Sequence, residues 1–230
     1  ELGFNELKYN VISSQMNRGK VEKSVAIAIG SLANTLSKFS ADICFYMTQE
    51  LNFISFPDEI TTGSSIMPHK KNPDVFELMR GKCNKLQAIP GELAAIMGNL
   101  TTGYFRDLQL LKEKYIYAFK EIKACLEIAL LMVPNISVNK NILDEKKYDY
   151  LFSVEEVNKR VLEGTPFRES YKQVGLEIEA GNFTPNKEVN HTHEGSIGNL
   201  CTENIKAKMD ENFAKIDSSK IEKAIEDLLA

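Results

Sequence analysis

Between Thr61 and Pro73 the chain reads TTGSSIMPHKKNP. Two adjacent hydroxyls, Ser64 and Ser65, follow Gly63, whose lack of a side chain frees the backbone torsions there. Lys70 and Lys71 bring positive charge, and Pro68 and Pro73 stiffen the exit. Pro73-Asp74 is a good helix start, so free N–H groups and the positive end of a helix dipole follow directly. This chemistry would receive an anion beside a hydroxyl. In isolation, two lysines and two serines more often make a solvated surface connection. It is the length of the pattern G-S-S-x-M-P-x-K-x-N-P that raises the functional reading.

The elements that must hold this loop are helical. Val25, Ile29, Leu32, Leu36, Phe39, Ile43 and Tyr46 recur at intervals of four and three, a stripe sustained over about six turns. A second helix should begin after Asn72-Pro73-Asp74, run through Glu77, Met79 and Leu86, be kinked or interrupted at Pro90-Gly91, and continue through Leu93, Ile96 and Leu100. A third should start near Asp107 as its N-cap and bury Leu108, Leu111, Tyr115, Phe119, Ile122, Leu126, Ala129 and Val133 before Pro134-Asn135 ends it. Three such helices predict a bundle about 35–40 Å long. Their apolar stripes exceed what one chain of 230 residues needs, so they are expected to pack against other subunits as well. From about Asp144 the elements shorten, punctuated by Gly164, Pro166, Gly181 and Pro185. The expectation is an all-α protein, with a bundle domain over 1–143 and a smaller α-helical domain over 144–230. No strand and no internal repeat is identified.

Composition narrows the function. Hydrophobic residues make up 43% and the net charge is −4, which argues against a nucleic-acid coat or an anionic membrane surface as partner but leaves room for a local basic pocket. No apolar run approaches a bilayer span, and the start shows no signal-peptide pattern. Cys44, Cys83, Cys125 and Cys201 are scattered without a C-x-x-C, consistent with free, mostly buried thiols in a reducing cytoplasm. His191 and His193 are expected to be solvated or capping residues, and no metal site is expected. The first residue is Glu1, so the chain is expected to be part of a longer polypeptide.

The string GSSIMPHKKNP resembles the signature of the fumarase/aspartase superfamily, whose members eliminate a group from a succinyl moiety and release fumarate. Within it, the opening ELGF ahead of Arg18, NPDVFELMRGK, GYFRDLQLLKE and LEGTPFRESYKQVG are similar to segments of the argininosuccinate lyase family, with Tyr171 where a histidine is usual. The resemblance covers nearly the whole chain, as the carboxyl-terminal half of such an enzyme, and weakens after Gly181. Adenylosuccinate lyase is the nearest alternative, since His69 in MPHK is common there, although its loop usually has K-R-N-P. A catalytically silent structural relative, or an inactive fragment, is the non-enzyme alternative.

The resemblance implies roles. Ser64 matches the general base, its alkoxide favoured by Lys70 and loop N–H groups. Ser65 holds the loop and contacts substrate, while Lys70 and Asn72 match the residues that bind a substrate carboxylate. Glu77 matches a carboxylate that pairs with a catalytic histidine, which the family places ahead of Glu1. Tyr104, Gln109 and Lys112, with Arg18, match substrate contacts; without the resemblance, an exposed helix start explains the first three equally well. It further implies the substrate argininosuccinate, no metal or organic cofactor, and a cytoplasmic homotetramer whose active sites are shared between subunits.

Overall fold

In a computed structural model, residues 6–63, 66, 67, 71–189 and 191–229 are described. Residues 8–142 form one compact unit, and residues from Leu143 onward belong to a second.

Three helices build the first unit: α2 (Lys20–Tyr46), α3 (Asp74–Met97) and α4 (Leu111–Met132), preceded by a short α1 (Val11–Met16). At 1.5 Å per residue, the 27 residues of α2 span about 40 Å. α2 and α3 run antiparallel: Asn34 Nδ2 donates to Gln87 Oε1 at 2.8 Å, and Ser37 Oγ donates to Asn84 Oδ1 at 2.7 Å. α4 returns antiparallel to α3, with Lys82 beside Glu121 and Lys85 over the Tyr117 ring.

The seam between α2 and α3 keeps Ile29 and Ile43 of the expected stripe buried and adds residues one position further along. Its buried residues include Ala26, Gly30, Ala33, Ser37 and Ser40, small side chains that let two backbones approach. Val25, Leu36 and Phe39 flank the core as expected, but Leu32 is 40% and Tyr46 36% exposed. Close approach selects small residues, whereas a hydrophobic pattern weights large ones. On α4, Leu111 and Ile122 are buried as expected, but Phe119 and Val133 are exposed and Cys125 and Met132 take core places instead. Large apolar side chains also stay exposed at Leu78, Ile116 and Leu130.

The element boundaries refine these expectations. α3 runs through Pro90 without ending, as one helix from Asp74 to Met97. The chain enters α4 through a 3-10 turn, Arg106–Gln109, so Asp107 lies within that turn rather than capping α4. Among the described residues four two-residue strands occur, too short to leave a pattern: β1 (Ile54–Ser55) pairs antiparallel with β4 (Ser137–Val138), and β2 (Thr62–Gly63) with β3 (Lys71–Asn72).

The second unit holds α5 (Ser153–Leu162), α6 (Phe167–Glu179), α7 (Thr202–Ala214) and α8 (Ser219–Leu229). Gly164 (φ 102°) and Gly181 (φ 71°) terminate α5 and α6 in left-handed turns, where the N–H of the following residue reaches back to Arg160 O and Glu177 O. Arg160 binds both carboxylate oxygens of Glu177, at 3.0 and 2.8 Å, and joins the two helices. His191 is neither merely solvated nor a cap: its Nε2 lies 3.0 Å from Glu155 Oε1 and its ring stacks on His193. Among the described residues no cluster could hold a metal ion, and no helix is long and apolar enough to cross a membrane.

Candidate active site

Antiparallel pairing of β2 and β3 sets Gly63 opposite Lys71 and Thr62 opposite Asn72, so the two ends of the 63–72 segment are held side by side. Thr62 Oγ1 donates to Asp74 in the first turn of α3, and Asn72 Nδ2 donates to Gly63 O at 3.5 Å. Beneath them Phe76, fully buried, packs against Phe56 and edge-on to Phe39, so aromatic packing fixes where the loop leaves the bundle. Ser64, Ser65 and Lys70 lie outside the described residues.

Lys71 does not present a free charge as expected. It is ion-paired with Asp58, which opens the 3-10 turn Asp58–Ile60. The first turn of α3 also carries Asp74 and Glu77, so acidic side chains occupy the helix terminus expected to attract an anion. Glu77 is exposed and faces a cavity of about 560 Å³ that Asn72, Lys71, Met67, Met47 and Cys44 also line. Burial pushes the Cys44 thiol up; Arg80 opposes that shift and Glu77 reinforces it.

A second group assembles at the other end of the bundle. The Arg18 guanidinium sits 4.6 Å from the centroid of the Tyr104 ring. The Tyr104 phenol is held below its ordinary value, first by Arg18, then by Gln109, with the charge of Lys112 contributing and burial opposing. Three expected substrate contacts, from the turn before α2, the 3-10 turn and α4, thus act on the hydroxyl of a fourth, Tyr104, in the α3–α4 connection. Arg18 also lines a cavity of about 580 Å³ with Lys20, Lys23, Thr101 and Thr102. Lys20, Lys23, Gly19 and Cys44 were not singled out from sequence. Only Gly19 carries a readable signal, a glycine opening an apolar periodic run with Glu22 three residues later.

The two groups are not neighbours. Glu77 is in the first turn of α3, and Met97, at its last residue, lines the Arg18 cavity. Twenty residues of helix separate them, about 30 Å.

The described fold is that of the fumarase/aspartase lyases. A family profile described as "Lyase" matches residues 5–88. The sequence similarity is to argininosuccinate lyases: that of Parabacteroides distasonis is 60% identical over 208 residues, 90% of this chain and 47% of that protein. That of Phocaeicola vulgatus is 54% identical over 228 residues, 99% of this chain and 51% of that protein, and that of Thermotoga neapolitana is 34% identical over 174 residues, 76% and 44%. The chain spans about half the length of the curated relatives it matches. Among solved structures, the 3-carboxy-cis,cis-muconate lactonizing enzyme of Pseudomonas putida superposes with a TM-score of 0.58 at 19% identity, over 70% of this chain and 36% of that one. An EDDS lyase in complex with formate gives 0.55 at 19% identity, over 78% and 37%. At that identity the likeness concerns the fold alone.

Proposed function

We propose that this chain is the carboxyl-terminal half of an argininosuccinate lyase, which breaks the carbon–nitrogen bond of argininosuccinate to give arginine and fumarate. The observation that carries this reading is the convergence of Arg18, Gln109 and Lys112 on Tyr104, within a sequence 54–60% identical to proteins of that name.

Elimination begins with loss of a proton from a carbon beside a carboxylate. The resulting aci-carboxylate carries two negative charges on neighbouring oxygens and forms only against fixed positive or hydrogen-bonding groups. In this reading Ser64 takes the proton, Lys70 and Asn72 hold the carboxylate, and Ser65 supports the loop. Glu77 pairs with a histidine supplied from outside these 230 residues, which protonates the departing guanidinium nitrogen. Arg18, Tyr104, Gln109 and Lys112 bind the remainder of the substrate.

The roughly 30 Å between Glu77 and the Tyr104 group supports a further element. One substrate cannot reach both within a chain, so each active site combines the loop end of one subunit with the Tyr104 end of another, in a homotetramer acting in the cytoplasm. Exposed apolar residues such as Ile27, Leu78, Ile116 and Leu130 supply surface for that assembly.

The test is fumarate release, followed by ultraviolet absorbance, from the full-length enzyme offered argininosuccinate, adenylosuccinate, malate and aspartate. Turnover confined to argininosuccinate supports the reading; faster turnover of adenylosuccinate overturns it.

A further inference from the structure

Gly19, at the N-cap of α2, has φ 84° and ψ −24°, a left-handed conformation that side chains strain to adopt. It is buried where two other helix ends close on it. A Cβ built there would lie 1.9 Å from Met97 Sδ, at the last residue of α3, and 3.1 Å from Leu111 Cδ1, at the first residue of α4. The connection between those two ends carries Tyr104. The residue before Gly19 is Arg18, whose guanidinium lies over the Tyr104 ring. From the helix side, the Glu22 carboxylate accepts the Gly19 N–H at 2.9 Å, while Lys23 N donates to Gly19 O at 2.8 Å.

We infer that Gly19 and Glu22 are positioning residues: the bare glycine lets the ends of α3 and α4 close on the turn, and Glu22 locks that turn, so that Arg18 is held over Tyr104. Neither touches the proposed substrate. The inference rests on the reading of Arg18 and Tyr104 as substrate contacts, and it extends that reading to two residues with no chemistry of their own. A side chain at Gly19 would push the Tyr104 connection and Arg18 apart. Loss of the Glu22 acceptor would free the turn and let Arg18 leave the ring, with the α2–α3 seam untouched.

The test uses the full-length enzyme labelled with 13Cζ-tyrosine, the Tyr104 signal being assigned by its absence in Tyr104→Phe. Gly19→Ala and Glu22→Ala should each move the Tyr104 phenol titration up toward that of ordinary tyrosine, because Arg18 is the first cause of its lowering. Each should also lower kcat/KM about tenfold, chiefly through KM, as expected for a misplaced contact. Glu22→Gln should restore both, since its amide oxygen still accepts the Gly19 N–H. If Gly19→Ala does not fold, the Glu22 pair decides alone. A Glu22→Ala enzyme that only melts earlier, with the Tyr104 titration and KM unchanged, overturns the inference. Should the enzyme not turn over argininosuccinate while the Tyr104 titration still responds to Glu22→Ala, the substrate reading fails and the positioning role stands.

Discussion

Lys82 Nζ lies 3.3 Å from Glu121 Oε2 between α3 and α4, and the Glu121 side chain is only 13% exposed. Burial alone would push the Glu121 carboxyl up, but Tyr117 and Lys82 outweigh it and hold the group below its usual value. A carboxyl lowered in the folded state adds stability above its unfolded value and loses it as pH falls through the folded one. Stability should therefore decline below about pH 4.3, the ordinary glutamate value, with Glu121 contributing to the slope. In Glu121→Gln that contribution disappears, so urea midpoints should fall less steeply with acid than in the parent protein. An unchanged slope would show that Glu121 does not titrate against this pair.

Thiol chemistry should divide the cysteines in two. Cys83 and Cys125 are buried, and burial together with the neighbouring Cys125 pushes the Cys83 thiol up to about 12. At pH 8 its thiolate fraction is about one in ten thousand, so it should resist alkylation until the protein unfolds. Native labelling with iodoacetamide followed by peptide mass analysis should leave Cys83 and Cys125 unmodified. Rapid native modification of Cys83 would contradict its placement in the core.

Phe76 connects stability to the loop. It is fully buried between Phe39 and Phe56 at the start of α3. Phe76→Ala should cost about 3–5 kcal/mol by denaturant unfolding. It should also reduce activity in the molecules that stay folded, because Phe56 precedes β2 and Phe76 follows β3. Loss of stability without loss of activity would detach the aromatic cluster from the site.

Ser64→Ala in the full-length enzyme should retain substrate binding and lose about 10²–10⁴ in kcat, the range typical of removing a general base. Its motivation is the match of the 63–73 string to the superfamily signature. Single-turnover and binding measurements on the same sample separate the two quantities. A kcat within a few-fold of the parent enzyme would exclude Ser64 as the base.

The three long helices were legible because each needs a sustained apolar period, and that period survives in the sequence even where tertiary packing selects the neighbouring register, as at Ala26, Gly30 and Ala33. The continuation of α3 through Pro90 was not legible. Proline removes one donor wherever it stands, and only the packed surroundings decide whether a helix continues. Pairing of Lys71 with Asp58 was equally hidden, since the partner lies thirteen residues away across a turn. The meeting of Arg18 with Tyr104 depends on two chain segments 86 positions apart, a distance that no local pattern spans. The resemblance named both residues, but their contact belongs to the fold.

The claim most directly open to measurement is that each active site joins the Glu77 end of one subunit to the Lys112 end of another. Full-length Glu77→Gln and Lys112→Met enzymes should each be nearly inactive alone. Unfolded together in equal amounts and refolded, they should form mixed oligomers in which about a quarter of sites combine an intact loop end with an intact Tyr104 end, on random assortment of subunits. Fumarate release from argininosuccinate should then recover to about a quarter of that of the refolded parent enzyme. Mixed oligomers, verified by mass spectrometry, with no more activity than either variant alone would contradict the shared site.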